Sequence, residues 1–151
     1  MANSTDNSIR IDAPLELVWR MTNDVRSWPD LFTEYAAIDV LKEDENTVRF
    51  RLTMVPDPDG TVWSWVSERT WDESTKTVRA HRVETGPFEY MRIYWDFDGD
   101  AQGTTMRWRQ EFEAKPTAPF DDDAITKRIN DNTAIQMKVI KEKIERAKTQ
   151  G

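Results

Sequence analysis

Residues 61–71 read Thr-Val-Trp-Ser-Trp-Val-Ser-Glu-Arg-Thr-Trp, so the odd positions hold Trp63, Trp65, Ser67, Arg69 and Trp71. In a strand, residues two apart share a face. One side therefore carries three indoles, a hydroxyl and a guanidinium. Turned outward it would wet all three indoles; turned inward it sets a cation on an aromatic surface, where an unpaired charge is costly. The inward assignment is preferred, and it leaves Arg69 in need of a partner. The same parity rule turns Phe50, Leu52 and Met54 inward, then Val78, Ala80 and Arg82, then Met91, Ile93, Trp95 and Phe97, and finally Met106, Trp108, Gln110 and Phe112. Ser67, Arg69, Arg82 and Gln110 are then isolated polar groups in an apolar wall. That is the make-up of a cavity that holds an oily ligand and orients it at a few points.

Each of these residues has a plainer reading. A buried arginine pairs with a carboxylate such as Glu34 or Glu84, inward tryptophans fill a core, and Gln110 is a structural amide. The coincidence of all of them on one surface favours the cavity. His81 falls on the outward parity and is expected in solvent. Arg107, Arg109, Glu111 and Glu113 read as cross-strand pairs on the outer face.

Composition narrows the chemistry. The 151 residues contain no Cys, which excludes thiolate catalysis, disulfides and sulfur-bound metals. One His excludes a two-histidine zinc site and leaves a catalytic triad without a supporting motif. A net charge of -7 argues against nucleic acid as a partner. No apolar run approaches the roughly 20 residues of a membrane span, and the segment from Met1 to Asp6 has neither the basic nor the greasy part of an export signal. A cytoplasmic protein that engages neither nucleic acid nor membrane is expected, with one domain over residues 1–151 and a monomer as the default. Seven Trp in a chain this short suggest an aromatic-lined space as well as a core.

The elements that must position these groups follow from periodicity. Residues 8–12 alternate as a strand, and Ala13-Pro14 opens a helix to about Thr22 with Leu17, Val18 and Met21 on its buried face. A second short helix carries Leu31 and Phe32, and a strand starts near Tyr35. From there to Glu113, turn-forming clusters at residues 43–46, 56–60, 72–74, 85–87 and 98–100 separate six period-two runs, which short connections force into an antiparallel meander. Aspartates 121–123 then cap a long helix. Its apolar stripe of Ile125, Ile129, Met137, Ile140 and Ile144 is broken by Asn132, Thr133 and Gln136, read as a wetted stripe slightly ahead of a ligand contact. The fold class is α+β: a curved seven-stranded antiparallel sheet gripping a long C-terminal helix, with two short helices between strands 1 and 2. A helix only about 10–12 Å wide cannot fill such a concave sheet, so a cavity remains.

Several segments also carry a family likeness: Asn7-Ser8-Ile9, Ala13-Pro14, Leu17-Val18-Trp19, Thr22-Asn23-Asp24, Trp28-Pro29, Glu34-Tyr35-Ala36, Trp63-Ser64-Trp65-Val66-Ser67, Met106-Arg107-Trp108, Gln110-Glu111-Phe112 and, most specifically, Arg79-Ala80-His81-Arg82-Val83-Glu84-Thr85-Gly86-Pro87-Phe88. Together they resemble the single-domain aromatase/cyclases of bacterial type II polyketide synthases, of the tetracenomycin type, within the START-like and Bet v 1-like helix-grip superfamily. The likeness spans nearly the whole chain. It departs at the strand bearing Met54, near Arg128 and at Thr117.

The resemblance implies a poly-β-ketone substrate tethered to an acyl carrier protein, closed by aldol condensation and dehydration to an aromatic ring without a cofactor or metal. It implies first-ring closure between the ninth and fourteenth carbons, with a second ring to follow; a pocket of slightly different depth would select the seventh and twelfth. The family's pocket positions map onto Trp28, Phe32, Trp63, Trp65, Ser67, Phe88, Met91, Trp95, Trp108 and Gln110 as substrate contacts. For the chemistry of such a reaction the expected catalytic groups are Arg69, stabilising enolate or alkoxide oxygen, Tyr35 as proton donor or relay, Glu34 or an ordered water as base, and Arg82 to orient the chain. Tyr35 and Phe88 come from the likeness alone. A non-catalytic carrier of a lipid, quinone or isoprenoid would use the same cavity.

Overall fold

The computed structural model describes the backbone of residues 3–150 and the side chains of residues 3–148. Met1 and Ala2, on which the reading of the amino terminus partly rests, lie outside the described residues. Strand β1 (Asn3–Ile11) leads into helix α1 (Leu15–Asn23), a 3-10 turn (Val25–Ser27) and helix α2 (Trp28–Leu31). Strands β2 (Tyr35–Glu43), β3 (Thr47–Met54), β4 (Ser64–Asp72), β5 (Thr77–Arg82), β6 (Phe88–Asp100) and β7 (Gly103–Ala114) follow, and helix α3 (Asp122–Gln150) ends the chain.

The seven strands form one sheet in the order β1-β7-β6-β5-β4-β3-β2, every neighbour antiparallel. Six strands are thus the expected meander, and β1 returns to pair with β7, with Asn7 opposite Trp108. Bulges after Tyr35 and Val40 bend the edge strand β2. Strand β1 begins five residues earlier than the alternation predicts, because its first residues find partners on β7 up to Phe112.

Helix α3 starts where expected. The Asp121 carboxylate accepts the Ala124 N–H at 2.7 Å, and Asp122 and Asp123 sit in the first turn beside the positive end of the dipole. Met137, Ile140 and Ile144 are fully buried, and Glu145 accepts the backbone N–H of Asp12 at 2.7 Å, tying the helix to the end of β1. The interruption at mid-helix does not face bulk solvent: Thr133 and Gln136 are buried, Asn132 is half-buried, and Asn132 and Thr133 line the cavity between helix and sheet. Gln136 brackets Thr33, accepting its N–H at 3.1 Å and donating to its hydroxyl at 2.9 Å. A polar stretch inside a helix can face inward when the opposing surface supplies partners.

Two further expectations are corrected. The buried face of α1 is Val18, Trp19 and Thr22, with Leu17 and Met21 only partly covered, because the helix lies across the sheet end with Trp19 edge-on to Phe97 at 5.6 Å. Strand β4 begins at Ser64 rather than Thr61: residues 61–63 belong to the proline-rich loop, where Trp63 Nε1 donates to Asp57 Oδ2 at 2.7 Å.

The hairpin between β6 and β7 is closed by Gly103, where a Cβ would stand 2.6 Å from the backbone oxygen of Ile11. Gly103→Ala is expected to destabilise the protein by about 1–3 kcal/mol, read as a lower urea midpoint at unchanged slope.

Candidate active site

Apolar packing divides into two clusters. The larger gathers α1, α2, the middle of the sheet and the C-terminal part of α3; the smaller holds Phe88, Met91, Phe112 and Ile125. Between them lies a belt of polar side chains, since β7 passes from Trp108 through Gln110 to Phe112, and α3 from Ile125 through Thr133 to Met137. Thr133 donates to Gln110 Oε1 at 3.3 Å across that belt, and Gln110 Nε2 contacts Met91 Sδ at 3.4 Å.

A cavity of about 1020 Å³ opens here between sheet and helix. Val55, Val62 and Ile135 line it while remaining about half exposed, which marks its rim. Of the residues expected to contact a ligand, Trp28, Trp63, Trp65, Ser67, Phe88, Met91, Trp95, Trp108 and Gln110 all line this space, as do Glu34, Tyr35, Arg69 and Arg82. Phe32 does not. It caps the end of α2, 1% exposed, and packs behind the wall against Trp28 at 5.2 Å, Tyr35 at 4.9 Å and Trp108 at 6.2 Å.

Arg69 is the most enclosed polar group of the site, 1% exposed. Its partner is not Glu34, Glu84 or any other carboxylate among the described residues. Nη1 donates to Asn23 Oδ1, Nη2 lies 3.4 Å from the carbonyl oxygen of Thr22, and the guanidinium carbon sits 4.8 Å from the Trp95 ring centroid and 5.4 Å from that of Trp28. The cation thus meets the negative end of α1, an amide oxygen and two ring faces. Trp28 Nε1 donates to the same Thr22 oxygen at 3.1 Å, and Asn23 Nδ2 to Trp19 O at 2.7 Å, so the arginine acceptors are held by α2 and α1 respectively. Burial without a counter-ion pushes the guanidinium down to about 9, still protonated at neutral pH. Glu84 instead pairs with Arg51 on the outer face, at 2.8 Å.

Arg82 stands opposite Ser67 on β5, its guanidinium 4.0 Å over Trp65 and 5.0 Å over Phe88. Burial lowers it to about 10. Tyr35 stacks on Trp28 at 5.8 Å with the ring planes 19° apart. Its hydroxyl is held well above the ordinary tyrosine range, first by burial and then by the neighbouring Glu34 charge, so it is a donor at neutral pH. Glu34 accepts from Asn132 Nδ2 at 2.6 Å and engages the Tyr35 hydroxyl; burial raises its carboxyl against these two interactions.

Sequence reasoning missed Asn23 and Thr22 as the arginine's acceptors, and Asn132 as the helix contact of Glu34. Only the polar break in the stripe of α3 pointed toward the last. His81 is exposed on the outer face, and Arg107 and Arg109 pair there with Asp6 at 2.5 Å and Asp96 at 3.1 Å. The indole N–H groups of Trp95 and Trp108 are buried without an acceptor among the described residues. No described helix is long and apolar enough to cross a membrane.

A curved seven-stranded sheet closed on one long helix over an internal cavity defines a helix-grip protein, the architecture of the START and Bet v 1-like folds. A START superfamily protein from Mycobacterium smegmatis superposes with a TM-score of 0.81 at 11% identity, over 95% of this chain and 98% of that one. The family model for "Polyketide cyclase / dehydrase and lipid transport" matches residues 11–134, and the chain belongs to that family. It is 57% identical over 145 residues to a proposed polyketide cyclase of Streptomyces cyaneus, covering 96% of this chain and 95% of that protein. The Zhui aromatase/cyclase from Streptomyces sp. R1128 shares the fold with a TM-score of 0.85 at 19% identity, over 97% of this chain and 95% of that one.

Proposed function

We propose that this protein is a polyketide aromatase/cyclase that takes a poly-β-ketone from an acyl carrier protein of a type II polyketide synthase, folds it in the cavity, and directs aldol closure, dehydration and aromatisation of the first ring. The observation that carries this reading is Arg69, a guanidinium enclosed by indoles in the cavity wall with no carboxylate among the described residues to neutralise it.

The chemistry needs little beyond placement and charge. A methylene between two carbonyls loses a proton to Glu34 or to a water it orients, and the enolate carbon forms a bond to a second carbonyl carbon whose π electrons move to oxygen. Arg69 stabilises the enolate and the new alkoxide, and Tyr35 donates the proton that converts the alkoxide to a hydroxyl. Loss of a second ring proton with departure of that hydroxyl as water, followed by enolisation of the remaining carbonyls, completes the aromatic ring. Confinement of an activated chain in one bent shape supplies effective concentration, so the reaction asks for no cofactor. Closure between the ninth and fourteenth carbons, with a second ring to follow, is the regiochemistry this reading favours over closure between the seventh and twelfth. On this reading the protein acts in the cytoplasm as a monomer.

Incubation with a minimal type II polyketide synthase and mass-resolved analysis of the aromatic products tests the proposal. A new dominant ring pattern supports it. A product distribution identical to that of the synthase alone overturns it and leaves a carrier of an oily ligand. Two variants locate the proton transfers. Tyr35→Phe keeps the stack on Trp28 and removes the donor, with an expected loss in rate of about 10²-fold; full activity would remove Tyr35 as the acid. Because Glu34 must be ionised to accept a proton and its carboxyl is raised, activity is expected to fall with decreasing pH through a midpoint above the ordinary glutamate value. Glu34→Gln should lower the rate and flatten that acid limb in a pH profile.

A further inference from the structure

Arg69 and Arg82 project from neighbouring strands into the same cavity. Ala80 is the residue opposite Arg69 and Arg82 lies two further along β5, a diagonal relation that sets the two side chains about 7–8 Å apart at their roots. From there they diverge, Arg69 toward Asn23 and the Trp28 and Trp95 rings, Arg82 toward Trp65 and Phe88. Neither is neutralised by a carboxylate among the described residues. The acidic groups nearby are engaged elsewhere: Glu34 with Asn132 and Tyr35, Glu84 with Arg51, Asp131 with Lys127 at 2.7 Å, and Asp57 with Trp63 and, at 4.0 Å, Arg128.

An arginine has five N–H donors, and Arg69 spends two of them on neutral oxygens. Ring faces and a helix terminus offset only part of the cost of burying its charge. These surroundings suit a flat, delocalised anion that can lie between indoles with its oxygen toward the guanidinium. An enolate has that form, and so does the phenolate to which an aromatised ketide ionises, since both place the negative charge on an oxygen attached to a trigonal carbon. A neutral ketone or phenol lacks the charge.

We propose that the cavity is a receptor for ionised hydroxy-aromatic ligands, so that phenols and polyphenols of the class formed on ring closure bind as their phenolates against Arg69, with Arg82 adding to the field. This rests on the cavity and arginine placement of the proposed function but not on catalysis. Its consequence is that product is held more tightly as pH rises, while a ligand that cannot ionise is not.

The test uses the intact protein with two naphthalenes of nearly equal size: 2-naphthol, whose anion absorbs at longer wavelength than its neutral form, and 2-methoxynaphthalene, which cannot ionise. Bound 2-naphthol is expected to lose its proton at a pH lower by roughly one to three units than in water, and the preference for it over 2-methoxynaphthalene to grow with pH. Arg69→Met should erase the shift while retaining 2-methoxynaphthalene binding, and Arg82→Met should reduce it. Equal midpoints for free and bound 2-naphthol overturn the proposal, as does an undiminished shift in Arg69→Met; if that variant does not fold, the comparison of the two ligands on the native chain decides. A protein that shifts naphthol ionisation but leaves ketide products unchanged supports this inference and overturns the cyclase reading. One that redirects ketides but binds naphthol neutral does the opposite.

Discussion

Arg69→Met should slow the directed ring closure by about 10²–10³-fold, the usual loss when one preorganised oxyanion donor is removed, and should move the products toward spontaneously cyclised shunt compounds. The protein itself should remain folded. The substitution takes an uncompensated cation out of an aromatic surround, which relieves a desolvation cost, and leaves the Asn23 oxygen without its donor, which costs about 1–3 kcal/mol. These terms oppose each other, and a thermal melt within a few degrees of the native protein is expected. Arg69→Lys keeps a charge on a different stem but loses the fork that reaches both Asn23 and Thr22, so it should restore only part of the rate. An unchanged product distribution in Arg69→Met would overturn its role in ring closure.

The second large effect concerns a residue that does not touch the cavity. Phe32→Ala is expected to cost about 3–5 kcal/mol in urea denaturation, because the ring is buried against Trp28, Tyr35 and Trp108 and its loss leaves a cavity among them. Activity should fall as well, through Tyr35: its ring would lose the contact at 4.9 Å that holds it against the Trp28 stack. Phe32→Leu retains most of the volume and should recover most of both losses. If Phe32→Ala changed ligand selectivity without changing stability, the ring would belong to the cavity surface after all.

These two positions show what could be seen before the chain was folded. Arg69 was placed inward by its spacing from Trp65, Ser67 and Trp71, because the period of a strand is short, regular and independent of the rest of the chain. Phe32 follows a four-residue helix and precedes a strand; in such a stretch neither period applies, and its side of the wall depended on how α2 docks. Trp63 illustrates the same limit: alternation continued through it, yet Asp57 draws its indole into the loop.

What the amino-acid order determined by itself is the meander, the long capped helix, and the set of side chains that share the concave face, since turn residues, caps and periodicity are local properties. What the tertiary structure decided is the company those side chains keep. The acceptors of Arg69 come from a helix 46 residues earlier in the chain, and the amide that holds Glu34 from a helix 98 residues later. Such pairings depend on the docking of whole elements. That docking put neutral oxygens beside the guanidinium, leaving its charge free for an anionic ligand.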